Sequence, residues 1–208
     1  MKLGVISDIH ADLSALTAAL YILRREGVDR IVCAGDLVER GPYGDEVIEL
    51  IRRGSIPCVQ GNHDRDAIDN QRWLRENAIP DHPGLLNAES LAFLGQLPRV
   101  LHLELTGQRL TVAHGAPWSP DVYLMPGAPR WLYEQALAEA ETDILIVGHT
   151  HIPLQVSIGD GLVLNPGSVC GVYTSGSRTC AILTLPGHKW QVFGLSDGHP
   201  VGCRVRSL

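Results

Sequence analysis

Residues 1–64 read MKLGVISDIHADLSALTAALYILRREGVDRIVCAGDLVERGPYGDEVIELIRRGSIPCVQGNHD, and the fold class is decided within them. Residues 3–7 form a short apolar run of strand length. From residue 12 the period changes: Leu13, Leu16, Ala19, Leu20 and Leu23 recur at helical spacing, Asp12 offers an N-cap, and Gly27 ends the run. Residues 30–34 read as a second strand, 44–53 as a second helix and 55–60 as a third strand. A strand–helix–strand rhythm implies parallel pairing through right-handed crossovers, which places the chain in the α/β class.

Beyond this stretch, residues 65–97 are rich in Asn, Arg and Trp, lack a strand signal, and read as a helical excursion. Strands are expected at 100–106 and 109–113, joined by Gly107-Gln108 as a hairpin. A Pro-rich loop (Pro117, Pro120, Pro126, Pro129), a helix over 130–141 and a strand over 143–147 come next. From 155 to 205 the pattern is all hairpin, with turns at Gly159-Asp160-Gly161 and Pro186-Gly187-His188. No repeat, low-complexity tract or linker divides the chain. Residues 1–208 are therefore expected to form one domain, with 65–99 and 117–130 as insertions that shape a cleft.

The chain has 208 residues, with 17 Lys+Arg against 23 Asp+Glu for a net charge of −6. A hydrophobic share of 45% with 19% charged residues is that of a folded chain and excludes a disordered one. The acidic balance argues against holding nucleic acid by bulk charge. It leaves room for anionic substrates, because bound metal ions reverse the local sign. Five cysteines, an odd number with no C-x-x-C pair, read as reduced thiols. The N-terminus reaches Asp8 and His10 too early for a secretory segment, and no apolar stretch approaches the ~20 residues of a membrane span. The expectation is a cytoplasmic protein with no membrane contact. C-terminal edge strands leave room for a homo-oligomer.

The chemistry lies just past the end of each strand. Asp8 and His10 come after the first, Asp36 after the second, and Asn62, His63 and Asp64 after the third. His114 comes after the strand at 109–113, and His149 and His151 after the one at 143–147. Open α/β sheets bind ligands beyond the carboxyl ends of their strands, so these side chains can converge. Adjacent glycines (Gly35, Gly61, Gly115, Gly148) permit sharp turns. Two carboxylates, four imidazoles and a carboxamide oxygen form a hard-to-borderline donor set suited to Mn, Fe, Zn or similar ions. The set exceeds the roughly three protein ligands of one catalytic zinc and matches two ions that share a carboxylate. Two divalent cations against two aspartates and a hydroxide leave a positive pocket that favours an anion such as a phosphoester.

Five blocks in order resemble the calcineurin-like metallophosphoesterase superfamily over residues 1–170. They are Asp8-x-His10, Gly35-Asp36-x-x-x-Arg40-Gly41, Gly61-Asn62-His63-Asp64, His114-Gly115 and Gly148-His149-Thr150-His151. Asn165-Pro166-Gly167-Ser168-Val169 is similar to the small bacterial and archaeal phosphodiesterase branch. GDLVERGP with GNHD also resembles diadenosine tetraphosphatases and protein phosphatases.

The resemblance implies a four-layer α-β-β-α sandwich of two mixed sheets flanked by helices. It implies one metal on Asp8, His10, Asp36 and His151, and a second on Asp36, Asn62, His114 and His149. Manganese is expected first, with Fe, Zn, Ni or Co as alternatives. A metal-bridging hydroxide would attack phosphorus, His63 would act as general acid oriented by Asp64, and Arg40 would fork onto phosphate oxygens. A salt bridge from Arg40 to Glu39 or Asp45 is the structural alternative for that side chain. The expected function is a phosphodiesterase acting on a small phosphoester or nucleotide-like substrate. The alternatives are a phosphomonoesterase for phosphoproteins or dinucleoside polyphosphates, and a non-catalytic scaffold such as the retromer subunit of similar fold. Arg65, Arg72, Arg75 and Arg130 are expected to meet additional phosphates. Trp73, Trp118 and Trp131 are expected in the core, with the cleft mouth as the alternative. His82, His102, His188 and His199 are expected to be surface or hydrogen-bonded polar residues.

Overall fold

Alternation along the strands builds this molecule as layers. The computed structural model describes residues 1–77 and 85–208. Its elements run β1 (Lys2–Ile6), α1 (Leu13–Arg25), β2 (Arg30–Cys33), α2 (Gly44–Arg53), α3 (Asn62–Glu76), α4 (Ala88–Gln96), β3 (Val100–Leu105) and β4 (Gln108–Ala113). They continue with α5 (Arg130–Glu139), β5 (Ile144–Ile146), β6 (Leu154–Ile158), β7 (Gly161–Asn165), β8 (Thr179–Thr184), β9 (Lys189–Gly194), β10 (Pro200–Val201) and β11 (Arg204–Ser207). One mixed sheet has the order β10-β9-β8-β1-β2 and the other the order β11-β6-β7-β5-β4-β3.

Leu3, Val5, Ala181 and Leu183 of the first sheet meet Leu110, Val112, Ile144, Ile146 and Leu164 of the second. Their odd-and-even neighbours face outward: Ile6 and Ile182 pack under α1 and α2, while Leu145 and Val163 pack under α5 through Tyr133 and Ala136. Helix, sheet, sheet, helix is the result, an α/β four-layer sandwich.

Three local expectations change. Residues 55–60 do not form a strand; Cys58 makes only an isolated bridge to Cys33. Pro57 has no N–H with which to extend the ladder, although its carbonyl accepts from Cys33. The β3–β4 turn is Thr106-Gly107, not Gly107-Gln108, because Gln108 pairs with Leu105. Both turn residues have positive φ, 52° and 77°, as a two-residue hairpin of right-handed twist requires. The C-terminal region is not all hairpin: β11 crosses to the other sheet and pairs parallel with β6.

Candidate metal centre

β1 and β2 run parallel in one sheet, β4 and β5 parallel in the other, and the turns leaving their carboxyl ends are stitched together. Asp8 N–H donates to the Gly35 carbonyl at 3.0 Å, His10 N–H to Asp36 at 3.0 Å, and Gly148 N–H to His114 at 2.7 Å. The candidate ligands carry the bend themselves. Asp8, His10, Asp36, His149 and His151 have φ of 54°, 49°, 55°, 64° and 58°. Left-handed backbone outside glycine costs about 1–3 kcal/mol per residue and gathers at functional sites. Gly61 serves close approach instead: a β-carbon there would fall inside the Asp36 carboxylate.

The donor atoms form an unbroken chain. Asp8 Oδ1 lies 3.1 Å from His151 Nε2, which lies 3.2 Å from His10 Nε2. His10 Nε2 is 3.8 Å from Asp36 Oδ2, and that oxygen is 3.2 Å from His114 Nε2. His114 Nε2 is in turn 3.0 Å from Asn62 Oδ1. Asp8, His10 and His151 can share one ion, and Asp36, His114 and His149 another. Asp36 Oδ2 also reaches toward the first group, where His10 Nε2 is 3.8 Å away.

The set fits divalent cations on its own chemistry. Ligands about 2.0–2.2 Å from an ion stand roughly 3.0–3.5 Å from one another, which is the spacing of four of these five contacts, the His10–Asp36 one being longer at 3.8 Å. His149 Nε2 is buried with no hydrogen-bond partner among the described residues. The His114 Nδ1 hydrogen is directed at the Ala34 carbonyl, 2.7 Å away, so its Nε2 faces two acceptors, Asp36 and Asn62. Burial opposes a proton on His114, but the Asp36 charge and hydrogen bond override it and hold the imidazole up at about 10. A bound cation would replace that proton. Burial holds His10 down at about 4, against the pull of Asp36. Asp36 is fully buried, yet His114 keeps its carboxyl well below the usual range.

His63 stands beside this group, its ring centroid 5.0 Å from that of His10. Its Nδ1 donates to Glu39 Oε2 at 2.7 Å, and its Nε2 faces Arg40 Nη2 at 3.1 Å. The Glu39 hydrogen bond raises the His63 pKa above its ordinary value despite partial burial. Asp64, expected to orient His63, has another place. Its Oδ2 accepts from the backbone N–H of Asp36 and Gly61 at 2.9 and 3.0 Å, and its Oδ1 from Leu37 and Val38 at 2.8 and 3.2 Å. His63 and Asp64 are consecutive in α3, where neighbouring side chains diverge by about 100°. Burial and the nearby Asp36 push the Asp64 carboxyl up to about 7, against these backbone bonds.

Arg40 makes the contact to His63 rather than the alternative bridge to Glu39 or Asp45. Of the other four arginines expected to meet phosphate, three have protein partners. Arg65 forks onto Asp121 at 2.9 and 3.1 Å, Arg130 binds Glu134, and Arg75 donates to the Leu86 carbonyl. Arg72 borders a separate depression with Arg75 and Leu91. Trp73, Trp118 and Trp131 are exposed and not core residues. Asn165 and Ser168 build turns: Asn165 Nδ2 donates to the Gly148 carbonyl at 2.6 Å, and Ser168 Oγ to that of Asp8 at 3.0 Å. His82 lies outside the described residues.

Two neighbours of the centre are not evident from the sequence patterns. Glu39 carries one usable signal, an acid directly before Arg40 in the same turn. Tyr123, whose ring stacks on His149 at 3.8 Å and 32°, carries none.

The model of the calcineurin-like phosphoesterase superfamily domain matches residues 1–187. The chain is 30% identical over 206 residues to a probable metallophosphoesterase of Methanothermobacter thermautotrophicus, covering 98% of this chain and 96% of the relative. It is 28% identical to the phosphodiesterase YfcE of Escherichia coli, over 81% of this chain and 79% of the relative. Among solved structures, a metallophosphoesterase from Sphaerobacter thermophilus superposes with a TM-score of 0.70 at 27% identity, covering 98% of this chain and 90% of that one.

Proposed function

The chain belongs to the calcineurin-like phosphoesterase superfamily, and on that basis we propose that it hydrolyses phosphoric esters, diesters foremost, with two divalent cations as cofactors. One observation carries the reading: turns from both sheets bring a largely buried run of Asp, His and Asn donors close together, with His149 Nε2 left unpartnered among the described residues. Asp8, His10, Asp36 and His151 would hold one cation, and Asp36, Asn62, His114 and His149 the other. Bound there, the cations would supply Lewis acidity that brings the pKa of water toward neutrality and offsets phosphoryl charge. Manganese is the metal proposed first.

The protein's own groups do the remaining work. Glu39 takes the Nδ1 hydrogen of His63 and so turns Nε2 toward the centre, where it can give a proton to the leaving oxygen. Arg40 stands 3.1 Å from that nitrogen, so a phosphoester oxygen beside one is beside the other. Its planar fork suits two phosphoryl oxygens. Asp64 holds the turn at residues 36–38 against the start of α3 and thereby positions Asp36 and His63 together. The helix α3 and the loop between β4 and α5 flank the centre and would shape the substrate cleft, joined by the Arg65–Asp121 pair.

The test is hydrolysis of bis-p-nitrophenyl phosphate and p-nitrophenyl phosphate with Mn²⁺ and with a chelator. Turnover of the diester above the monoester, lost on chelation and restored by Mn²⁺, is expected. A faster monoester would move the assignment to a phosphomonoesterase. No metal-dependent turnover of either would remove the hydrolase reading.

A further inference from the structure

A cavity of about 790 Å³ opens beside the centre, within the size range of small-molecule sites. Its near end is Glu39 and Arg40, whose side chains meet the two ring nitrogens of His63. Resting on the proposed hydrolase reading, this contact identifies the part of a substrate that belongs here. An oxygen that takes a proton from His63 is the leaving oxygen, so the group attached to it continues past Glu39 and Arg40.

The walls state what that group is. Trp73 of α3 and Tyr173 line the cavity while remaining 57% and 40% exposed, presenting aromatic surface to solvent. Leu74 and Leu86 add apolar surface. Among the described residues the charges lining it are Glu39, Asp45 and Glu46 against Arg40 alone, and Arg40 is turned toward His63. The amino end of α2 borders the cavity at Gly44 and would attract an anion, but Asp45 and Glu46 in its first turn already answer that dipole. A further phosphate here would meet an excess of carboxylate.

We infer that this cavity receives the leaving alcohol of a phosphodiester, and that the alcohol is uncharged and flat, a nucleoside or an aryl alcohol rather than one bearing more phosphate. In the reaction a water oxygen bonds to phosphorus, the P–O bond to the alcohol breaks, and the alcohol oxygen takes a proton. A phosphomonoester and a free alcohol result.

The experiment compares two substrates on the Mn²⁺-loaded full chain: a dinucleoside monophosphate, which releases a nucleoside, and diadenosine triphosphate, which releases a phosphate-bearing nucleotide. The first is expected to show kcat/KM about tenfold higher or more. Trp73→Ala or Tyr173→Ala should raise its KM about fivefold or more, as loss of an aromatic stacking face does. Inhibition by inorganic phosphate, which reports the metal centre itself, should stay within about twofold, since neither aromatic contacts the donor set. Glu46→Lys, at an exposed rim position, should narrow the preference between the two substrates. Equal or better use of diadenosine triphosphate by the unaltered protein would overturn the inference, as would an unchanged KM in both aromatic variants. Failure of the hydrolase reading itself is told apart by bis-p-nitrophenyl phosphate: no metal-dependent turnover there would overturn both.

Discussion

His63 Nδ1 is held by the Glu39 carboxylate, while the Arg40 guanidinium 3.1 Å from Nε2 is a donor only and can bond that nitrogen only when it carries no proton. His63 also lies within ligand reach of His10 and Asp36, so acid and metal ligand are both within its geometry. His63→Ala separates them. As a general acid its loss should lower kcat about 10²–10⁴-fold with two metal ions per chain retained, read by steady-state kinetics and elemental analysis. Loss of metal would make it a ligand. Glu39→Gln keeps an acceptor near Nδ1 but removes the charge; a smaller fall in kcat with unchanged metal content is expected. An equal loss of metal in this variant would contradict the positioning role. His63 was legible from the GNHD block. Its partner was not, because an acid one residue away in the chain is the natural guess until the block is known to open a helix.

At the scale of elements, α3 is tied to the turn after β2 by one side chain. Asp64 satisfies the N–H groups of Asp36, Leu37, Val38 and Gly61 and is wholly buried. Asp64→Ala would leave four buried donors without a partner, where even one costs about 1–3 kcal/mol. Urea unfolding should show a loss of about 3 kcal/mol or more, and Asp64→Asn, which keeps acceptor capacity on one oxygen, should lose less. A change below about 1 kcal/mol for Asp64→Ala would mean that water replaces the carboxylate. By contrast Arg65–Asp121, which joins α3 to the loop before α5, is exposed at both ends. Arg65→Ala should change stability by less than about 1 kcal/mol despite its bidentate geometry.

For the molecule as a whole, the candidate ligands divide between the two sheets. Asp8, His10 and Asp36 come after β1 and β2; His114, His149 and His151 come after β4 and β5. A cation held across that division binds only the assembled sandwich, so it adds its binding free energy to folding. Mn²⁺ at about 100 times its Kd should stabilise the chain by about 2.7 kcal/mol per ion, seen as a rise in Tm that a chelator reverses. Asp36→Asn should abolish most of that rise, since Asp36 belongs to both proposed ligand sets. An unaltered chain whose Tm ignores Mn²⁺ would contradict a centre built across the sheets.

The letters alone carry whatever short-range pattern encodes: the α/β class, the order of most strands and helices, and the glycine-flanked Asp, His and Asn at strand ends. Hydrophobic period and turn residues act over a few positions, so they can be read along a line. The weak points were also local, such as Pro57 silencing a strand that composition suggested. Which atom meets which was settled by the folded molecule. Glu39 rather than Asp64 faces His63, Arg65 pairs with Asp121, and Trp73 faces a cavity and not the core. Those pairings depend on side-chain directions across elements far apart in the chain, and direction in space is set by packing rather than by spacing along the sequence.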